Sequence, residues 1–386
     1  MFVRLVTIPR TEIVRASRRP AGTRPVASRA AGPSVALGLI LALTATVLIG
    51  CAAGTGGNAA GGAASAAPPT AASASQAPSA ATESAAPAAS GSITLYSTVT
   101  QATVESVMAA YQAANPGVTV EVFRAPTGEV AARIAAEQRD GGVQADLLWL
   151  TDPLSIQQYD QDGLLAAYAP PAASALDPAD QGTTYWGTRL LNMVMVTGAD
   201  VNPAPVDFSD LTDPALADAV ALPDPAFAGS AFGLLGYFAD APGYGMDFYQ
   251  RLKDNGAVIV KYPDEVTTGV AEGRFKAGIT LDFSVRTAIT KGSPVRLVWP
   301  ASGAVTMYSP IAQIQTSDNG TAAQSFIDYV LSEAGQAVIA ASGWQPARAD
   351  VDGGPSIDGA QIRPDWASAF GRQDELLAAY RAIFSE

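Results

Sequence analysis

Residues 145–153 read ADLLWLTDP, a hydrophobic run broken only by Asp146 that stops at a threonine, an acid and a proline. The stretch from Ala145 to Leu150 predicts a buried strand, because strands of a parallel sheet are covered on both faces and lack polar alternation. The turn Thr151-Asp152-Pro153 predicts that the strand ends there and that a helix follows. This stretch alone favours an α/β fold.

The same order of strand, polar turn and helix recurs on both sides of this stretch. Upstream, Ile93 to Tyr96 predicts a strand followed by hydroxyl residues, and Val104 to Tyr111 has apolar residues at helical spacing. A second strand from Val118 to Phe123 precedes a helix that opens at Thr127. Downstream, we predict further strands at 193–197, 220–222 and 277–281, and a helix starting near Gly229. This alternation predicts a mostly parallel α/β sheet.

Composition excludes several classes of function. The chain of 386 residues has no histidine and one cysteine, so it cannot form a Ser-His-Asp triad, a histidine-liganded zinc site or an internal disulfide. Hydrophobic residues make up 48% of the chain and charged residues 15%, which is enough for a substantial core. After Gly50 the chain has 16 basic and 35 acidic residues, and such a surface repels nucleic acid.

The first 92 residues predict a leader and a tether. Residues 1–50 are rich in arginine and end in the uncharged run Val35–Gly50, which is the length of a signal-peptide core rather than a spanning helix. The following Cys51 completes a sequence that resembles a bacterial lipobox, and we expect it to be lipidated. Residues 51–92 are almost wholly Ala, Gly, Ser, Pro and Thr, which predicts a flexible linker between the lipid anchor and the globular body.

The ends of the predicted strands suggest a binding function. In open α/β sheets, ligands bind beyond the carboxyl ends of the strands, where helix N-termini offer unpaired N–H groups and a partial positive charge. Hydroxyl and glycine residues at these ends can hold an anion without lysine. The competing interpretation is that the same Ser, Thr and Asp residues are ordinary helix N-caps.

Several segments in fixed order resemble the extracellular solute-binding proteins of bacterial ABC importers, in the group that takes up ferric iron, phosphonates, sugar phosphates and thiamine-like ligands. The resemblance covers about residues 93 to 351. It is carried by 125–129, 132–134, Glu137, 145–146, 151–152, 224–225, 229–231, 291–295, 299–300, 331–336 and 343–348.

The resemblance implies an α/β, two-lobed periplasmic-binding-protein-like fold of type II, with the ligand cleft between the lobes. We expect lobe 1 at 93–190 plus 303–386 and lobe 2 at 191–302, with hinges at 188–193 and 302–307. It also implies a monomer that binds a small anionic or zwitterionic solute and passes it to a membrane permease, without a cofactor and without catalysis.

Matching the ligand loops of this family residue by residue gives ten candidate site residues and no metal ligand. They are Ser97, Thr98, Thr127, Gly128, Thr151, Asp152, Ser230, Ala231, Asp282 and Tyr308. Hydroxyls and backbone amides suit a phosphate ester or a phosphonate, and the two acids can pair with an amine. We therefore expect a zwitterion such as 2-aminoethylphosphonate. Asp282 has the alternative role of capping the helix that follows it.

Three alternatives remain at this point. The first is ferric-iron binding, which the resemblance allows but which the lack of a Tyr-Tyr pair and of histidine disfavours. The second is a surface lipoprotein or adhesin without a transport role, which should show no ligand-dependent melting. The third is an enzyme built on Gly229-Ser230-Ala231-Phe232-Gly233. This segment is not G-x-S-x-G and lacks a histidine base, so we expect no enzyme.

Overall fold

The computed structural model describes residues 89–385, so the predicted signal peptide, the lipidation of Cys51 and the linker up to residue 88 lie outside the described residues. Strands and helices alternate along most of this part of the chain. The strands are β1 Gly91–Ser97, β2 Val118–Arg124, β3 Leu147–Trp149, β4 Tyr185–Gly198, β5 Val220–Pro223, β6 Val258–Val260, β7 Ala277–Leu281, β8 Val295–Val298, β9 Ala304–Gln313, β10 Gln345–Pro346 and β11 Gln361–Ile362.

Helices follow most of these strands. They are α1 Gln101–Ala114, α2 Thr127–Arg139, α3 Pro153–Gln161, α4 Gly229–Asp240, α5 Gly245–Asp254, α6 Pro263–Ala271, α7 Asp282–Thr290, α8 Gly320–Leu331, α9 Glu333–Ala341, α10 Trp366–Phe370 and α11 Gln373–Phe384. The helices predicted at Thr127 and near Gly229 begin at those residues. None of the helices within residues 89–385 has the length and apolar character needed to cross a bilayer.

The strands form one mixed sheet in the order β2-β1-β3-β9-β4-β7-β5-β6. Strands β1 to β3, with α1–α3, α8 and α9, make up what we call the first half, and β5–β8 with α4–α7 make up the second half. Pairing of β1 with β2 and β3, and of β5 with β6 and β7, is parallel. Pairing of β3 with β9, β9 with β4 and β4 with β7 is antiparallel.

The expectation of a mostly parallel sheet was therefore wrong for its centre. The two long strands β4 and β9 run in opposite directions between the halves, and this requires antiparallel pairing where they meet. Both strands are buried along nearly their whole length. The predicted hinge segments fall within β4 and at the start of β9. These hinges and the predicted lobe boundaries stay predictions.

A bulge interrupts the pairing of β4 with β9. Gly187 pairs with Pro310 and Leu190 with Tyr308, so that Thr188 and Arg189 together face a single residue of β9. Such a bulge bends the strand and redirects a side chain, and bulges are over-represented beside functional sites. On its other side β4 is paired with β10, where Pro346 lies opposite Arg189.

The C-terminal helices pack across both halves. α10 contacts α3 of the first half and α4 of the second. α11 packs on α5, where the rings of Tyr249 and Tyr380 meet edge to face at 5.3 Å. The chain thus returns to the second half after completing the first.

Candidate functional site

A cavity of about 940 Å³ lies between the first and second halves. Its lining comes from the carboxyl ends of the strands of the first half and from α4, α6 and α7 of the second half. Cavities of this size in proteins accommodate small organic ligands. This is the place where the sequence predicted that hydroxyl-bearing turns would converge.

The wall from the first half consists largely of hydroxyl groups. Thr98 follows β1 and Thr151 follows β3, and their hydroxyl oxygens lie 3.0 Å apart because the two parallel strands end side by side. Thr100 and Thr127 line the same wall. Each hydroxyl can both donate and accept a hydrogen bond, which suits an oxyanion or an alcohol.

The wall from the second half begins at the N-terminus of α4. The N–H of Gly229 donates a hydrogen bond of 3.2 Å to Thr127 Oγ1, so this bond joins the two halves. Ser230 lines the cavity and is 4% exposed. Further hydroxyls come from α6 and α7, namely Thr267, Thr268, Ser284 and Thr287.

Arg189 lines the cavity and is completely buried. None of its three guanidinium nitrogens has a hydrogen-bond partner among residues 89–385. Burial lowers the pKa of Arg189 to about 9, so the guanidinium carries its charge at neutral pH. Its central carbon lies 3.9 Å from the ring centre of Trp344.

Positive charge is enriched at this cavity relative to the rest of the body. Arg124, Arg189 and Lys291 line it, against the two acids Asp264 and Glu272. Over the whole chain, by contrast, 36 acidic residues outnumber 23 basic ones. The cavity is therefore a locally cationic place in an acidic protein, which favours an anionic ligand.

Four of the ten predicted site residues line the cavity: Thr98, Thr127, Thr151 and Ser230. The roles assigned to them stay predictions.

Three others lie immediately behind the wall. Ser97 is buried and donates to the carbonyl of Trp149 at 2.9 Å. A Cβ on Gly128 would lie 3.0 Å from the carbonyl oxygen of Ala226, so this glycine lets the halves approach closely. Ala231 is buried within α4.

The two predicted acids also lie behind the wall. Asp152 caps α3 by accepting the N–H of Ser155 at 2.7 Å, whereas Oδ2 of the same carboxyl has no partner within the described range. Asp282 accepts from Arg286 at 3.0 Å and from Asn192 at 3.3 Å. Burial raises the pKa of both carboxyls, and for Asp282 the hydrogen bond and charge of Arg286 act in the opposite direction.

Tyr308, the last predicted residue, stacks on Tyr185 with ring centres 6.1 Å apart and is not part of the cavity lining. Burial raises its pKa, so the phenol is protonated at neutral pH.

The site residues predicted from the sequence do not include Arg189, Trp344 and Phe283. These three residues form a third wall of the cavity. The available signal was a lone cation in the otherwise uncharged run YWGTRLLNMVMV from 185 to 196. A charged residue in the middle of a buried strand needs a partner or a function. Trp344 and Phe283 are far from Arg189 in sequence and gave no local signal.

The profile of a sequence family described as bacterial extracellular solute-binding protein matches residues 93–345. Among curated proteins, an uncharacterized protein of Haemophilus influenzae is 25% identical over 267 residues, which is 64% of this chain and 75% of that protein.

Solved structures share the fold. The periplasmic binding protein AfuA of Actinobacillus pleuropneumoniae, with fructose-6-phosphate bound, has a TM-score of 0.69 at 19% identity, covering 77% of this chain and 99% of its own. Iron-bound HitA of Pseudomonas aeruginosa has a TM-score of 0.67 at 22% identity, covering 76% and 99%. The substrate-binding protein of an ABC transporter from Agrobacterium tumefaciens has a TM-score of 0.69 at 16% identity, covering 76% and 94%. At these identities the likeness shows the fold alone, and it confirms the predicted two-lobed α/β fold of type II.

Proposed function

Since the chain belongs to the bacterial extracellular solute-binding proteins, we propose that it captures a small anionic solute in the cavity between its halves. Membership in this family implies that the protein binds a small molecule, that its partner is the permease of an ABC importer, and that it acts outside the cytoplasm. The geometry of the cavity indicates the chemical class of the solute.

The observation that carries this proposal is the guanidinium of Arg189. A buried charge without a partner destabilises a protein by several kcal/mol. Within the part of the chain that the structure describes, no carboxylate forms a salt bridge with Arg189. An anionic group on the solute would supply that missing partner, and the hydroxyls of Thr98, Thr151 and Ser230 would bind its remaining oxygens.

A phosphonate or a phosphate ester fits this set of groups best. Its oxygens accept several hydrogen bonds at once, and guanidinium groups bind such oxyanions in a forked geometry. Our leading candidate is 2-aminoethylphosphonate. Asp264 and Glu272 are the carboxylates of the cavity lining that can pair with its ammonium group. Asp282, already engaged by Arg286 and Asn192, is a weaker candidate for that pairing.

We also propose that the mature protein is held at the cell membrane by lipid on Cys51. Support comes from the sequence around Cys51 and from the family, whose members act next to a membrane permease. The linker of about 40 residues has a root-mean-square reach on the order of 35 Å, which lets the body reach that permease.

The experiment is a calorimetric titration of the purified protein with 2-aminoethylphosphonate, glucose 6-phosphate, inorganic phosphate and ferric citrate. We expect heat with at least one of the first three, together with a rise in unfolding free energy of about 2.7 kcal/mol at a hundredfold excess over Kd. Heat with ferric citrate alone would replace the proposal by iron binding. No heat and no shift in melting with any solute would favour the surface lipoprotein.

A further inference from the structure

Three side chains from separate elements stack in one wall of the cavity. Arg189 comes from the bulge of β4, Trp344 from the turn between α9 and β10, and Phe283 from the first turn of α7. The guanidinium carbon lies 3.9 Å from the ring centre of Trp344, and the ring centres of Trp344 and Phe283 lie 4.1 Å apart at an interplanar angle of 10°.

Trp344 is fixed by the first half. Its indole N–H donates to Thr103 Oγ1 at 2.9 Å, and Thr103 in turn contacts the cavity-lining Thr100 at 2.8 Å between hydroxyl oxygens. The pairing of Pro346 with Arg189 holds the following strand against the bulge. The indole plane therefore sets the position of the guanidinium.

Phe283, in contrast, belongs to the second half. Gly343 has a φ of +88°, and a Cβ there would lie 3.3 Å from the Phe283 ring, so the turn before Trp344 leaves room for that ring. Arg189 is 0% exposed and Trp344 is 1% exposed, so both are buried. Phe283 is only half-buried and lines the cavity. The outer layer of the stack is thus the one that the second half contributes.

A charge pair that is sealed from water is stronger and less sensitive to salt than an exposed one, because the surrounding dielectric is lower and mobile ions are excluded. We propose that Trp344 and Phe283 form an aromatic clamp, in which Trp344 positions Arg189, and Phe283, stacked on Trp344, seals this wall of the cavity from water when the halves close on an anion. This inference rests on the proposed function and adds the positioning residues for its anion site.

The test compares the full chain with its Phe283→Leu and Phe283→Tyr variants. Binding of 2-aminoethylphosphonate and of inorganic phosphate is measured by calorimetry from about 0.05 M to about 0.5 M sodium chloride, a range over which the screening length falls several-fold. We expect the affinity of the unaltered chain to fall less than about twofold across the range, and that of Phe283→Leu to fall about fivefold or more. Phe283→Tyr keeps the ring and should restore the shallow dependence.

Phe275→Leu is the matched control, since Phe275 is a half-buried aromatic residue of the second half that lies outside the cavity. It should leave the salt dependence unchanged. If Phe283→Leu weakens binding equally at every salt concentration, or leaves binding unchanged, the clamp is refuted while the anion site stands. If the unaltered chain binds neither anion, the proposed function fails and the clamp fails with it.

Discussion

Arg189 is a buried cation whose burial cost is only partly offset by its contacts in the folded protein. Its stacking on Trp344 contributes about 0.5 to 2 kcal/mol, which is less than the cost of several kcal/mol for burying a charge. Selection for stability alone would favour an apolar side chain of the same volume. This excess of the burial cost over the stacking energy supports a role for Arg189 in binding a ligand.

We therefore expect Arg189→Met to lower the affinity for the solute without lowering the stability of the protein. Affinity for the anion should fall about 100-fold or more, because removal of one partner of a buried pair costs about 3 to 5 kcal/mol. The free energy of unfolding without solute should stay equal or rise. Calorimetric titration and urea unfolding measure the two quantities.

Arg372→Met is the matched control for this variant, because Arg372 pairs with Asp240 at the surface, away from the cavity. It should leave both quantities essentially unchanged, because an exposed ion pair contributes little to stability. Unchanged affinity in Arg189→Met, or a loss of several kcal/mol in unliganded stability, would show that Arg189 has a structural role.

At Gly229 the two halves approach each other closely. A Cβ at this position would lie 2.4 Å from Oδ2 of the buried Asp152. We expect Gly229→Ala to force α4 away from the start of α3 and to weaken solute binding about tenfold, or about 1.4 kcal/mol. Titration measures the effect.

The control is Gly371→Ala, because the nearest atom to a Cβ there is 4.0 Å away and the backbone is helical. Equal affinities for the two variants would contradict the role that we assign to the contact between Gly229 and Asp152.

Local sequence signals identified the residues that follow strands and not those that lie within them. Thr98, Thr127 and Thr151, which line the cavity, were found because they follow predicted strands, where a hydroxyl can either bind a ligand or cap a helix. The stacking of Arg189, Trp344 and Phe283 depends on strand pairing across more than 150 residues of sequence. No periodicity or spacing encodes such a contact.

At the scale of elements, α9 is the helix that supports the bulge. The amide of the buried Gln336 donates to the carbonyls of Thr188 at 2.7 Å and Val330 at 2.9 Å, and its oxygen accepts the N–H of Ala347 at 2.8 Å. The preceding Gly335 is required because a Cβ would lie 2.0 Å from the carbonyl oxygen of Tyr329. Residues 331–336, one of the segments that carry the sequence resemblance, thus fix the backbone next to Arg189.

We expect Gln336→Leu to destabilise the protein by about 3 kcal/mol or more, because three buried backbone groups lose their partner. Solute binding should weaken as well, since Thr188 adjoins Arg189. Urea unfolding followed by titration tests both effects.

Gln250→Leu serves as its control, because Gln250 makes an exposed contact with Asp254 within α5, worth about 0.5 kcal/mol at most. A loss of stability in Gln336→Leu no greater than in this control would contradict the supporting role of α9.

Most helices and strands could be predicted from the sequence, whereas the pairing of the strands could not. The helices at Thr127 and Gly229 begin where turn chemistry predicted. The strand predicted at 193–197 is in fact the end of the much longer β4. Its direction relative to β9 is set by how the two halves connect, and hydrophobic patterning does not carry that information.

The whole molecule combines an acidic body with a cationic cavity. All residues that line the cavity lie between 98 and 344, well beyond Cys51 and the predicted linker. Binding should therefore be independent of the anchor that we propose at Cys51.

We expect Cys51→Ser to move the protein from the membrane fraction to the soluble fraction of cells, without altering its affinity for the solute. Cell fractionation and titration of the released protein measure this. Ser75→Ala within the linker should stay with the membrane. Retention of Cys51→Ser on the membrane would contradict lipidation as the anchor.

The packing of α11 on α5 has a consequence for biosynthesis. Residues 373–384 are translated after every strand and helix of the second half, more than 70 residues beyond the end of β8, yet they cover part of that half. That half cannot complete its packing until α11 has been made. Although its own strands and helices precede α8 and α9 in the chain, the second half is therefore completed after the first.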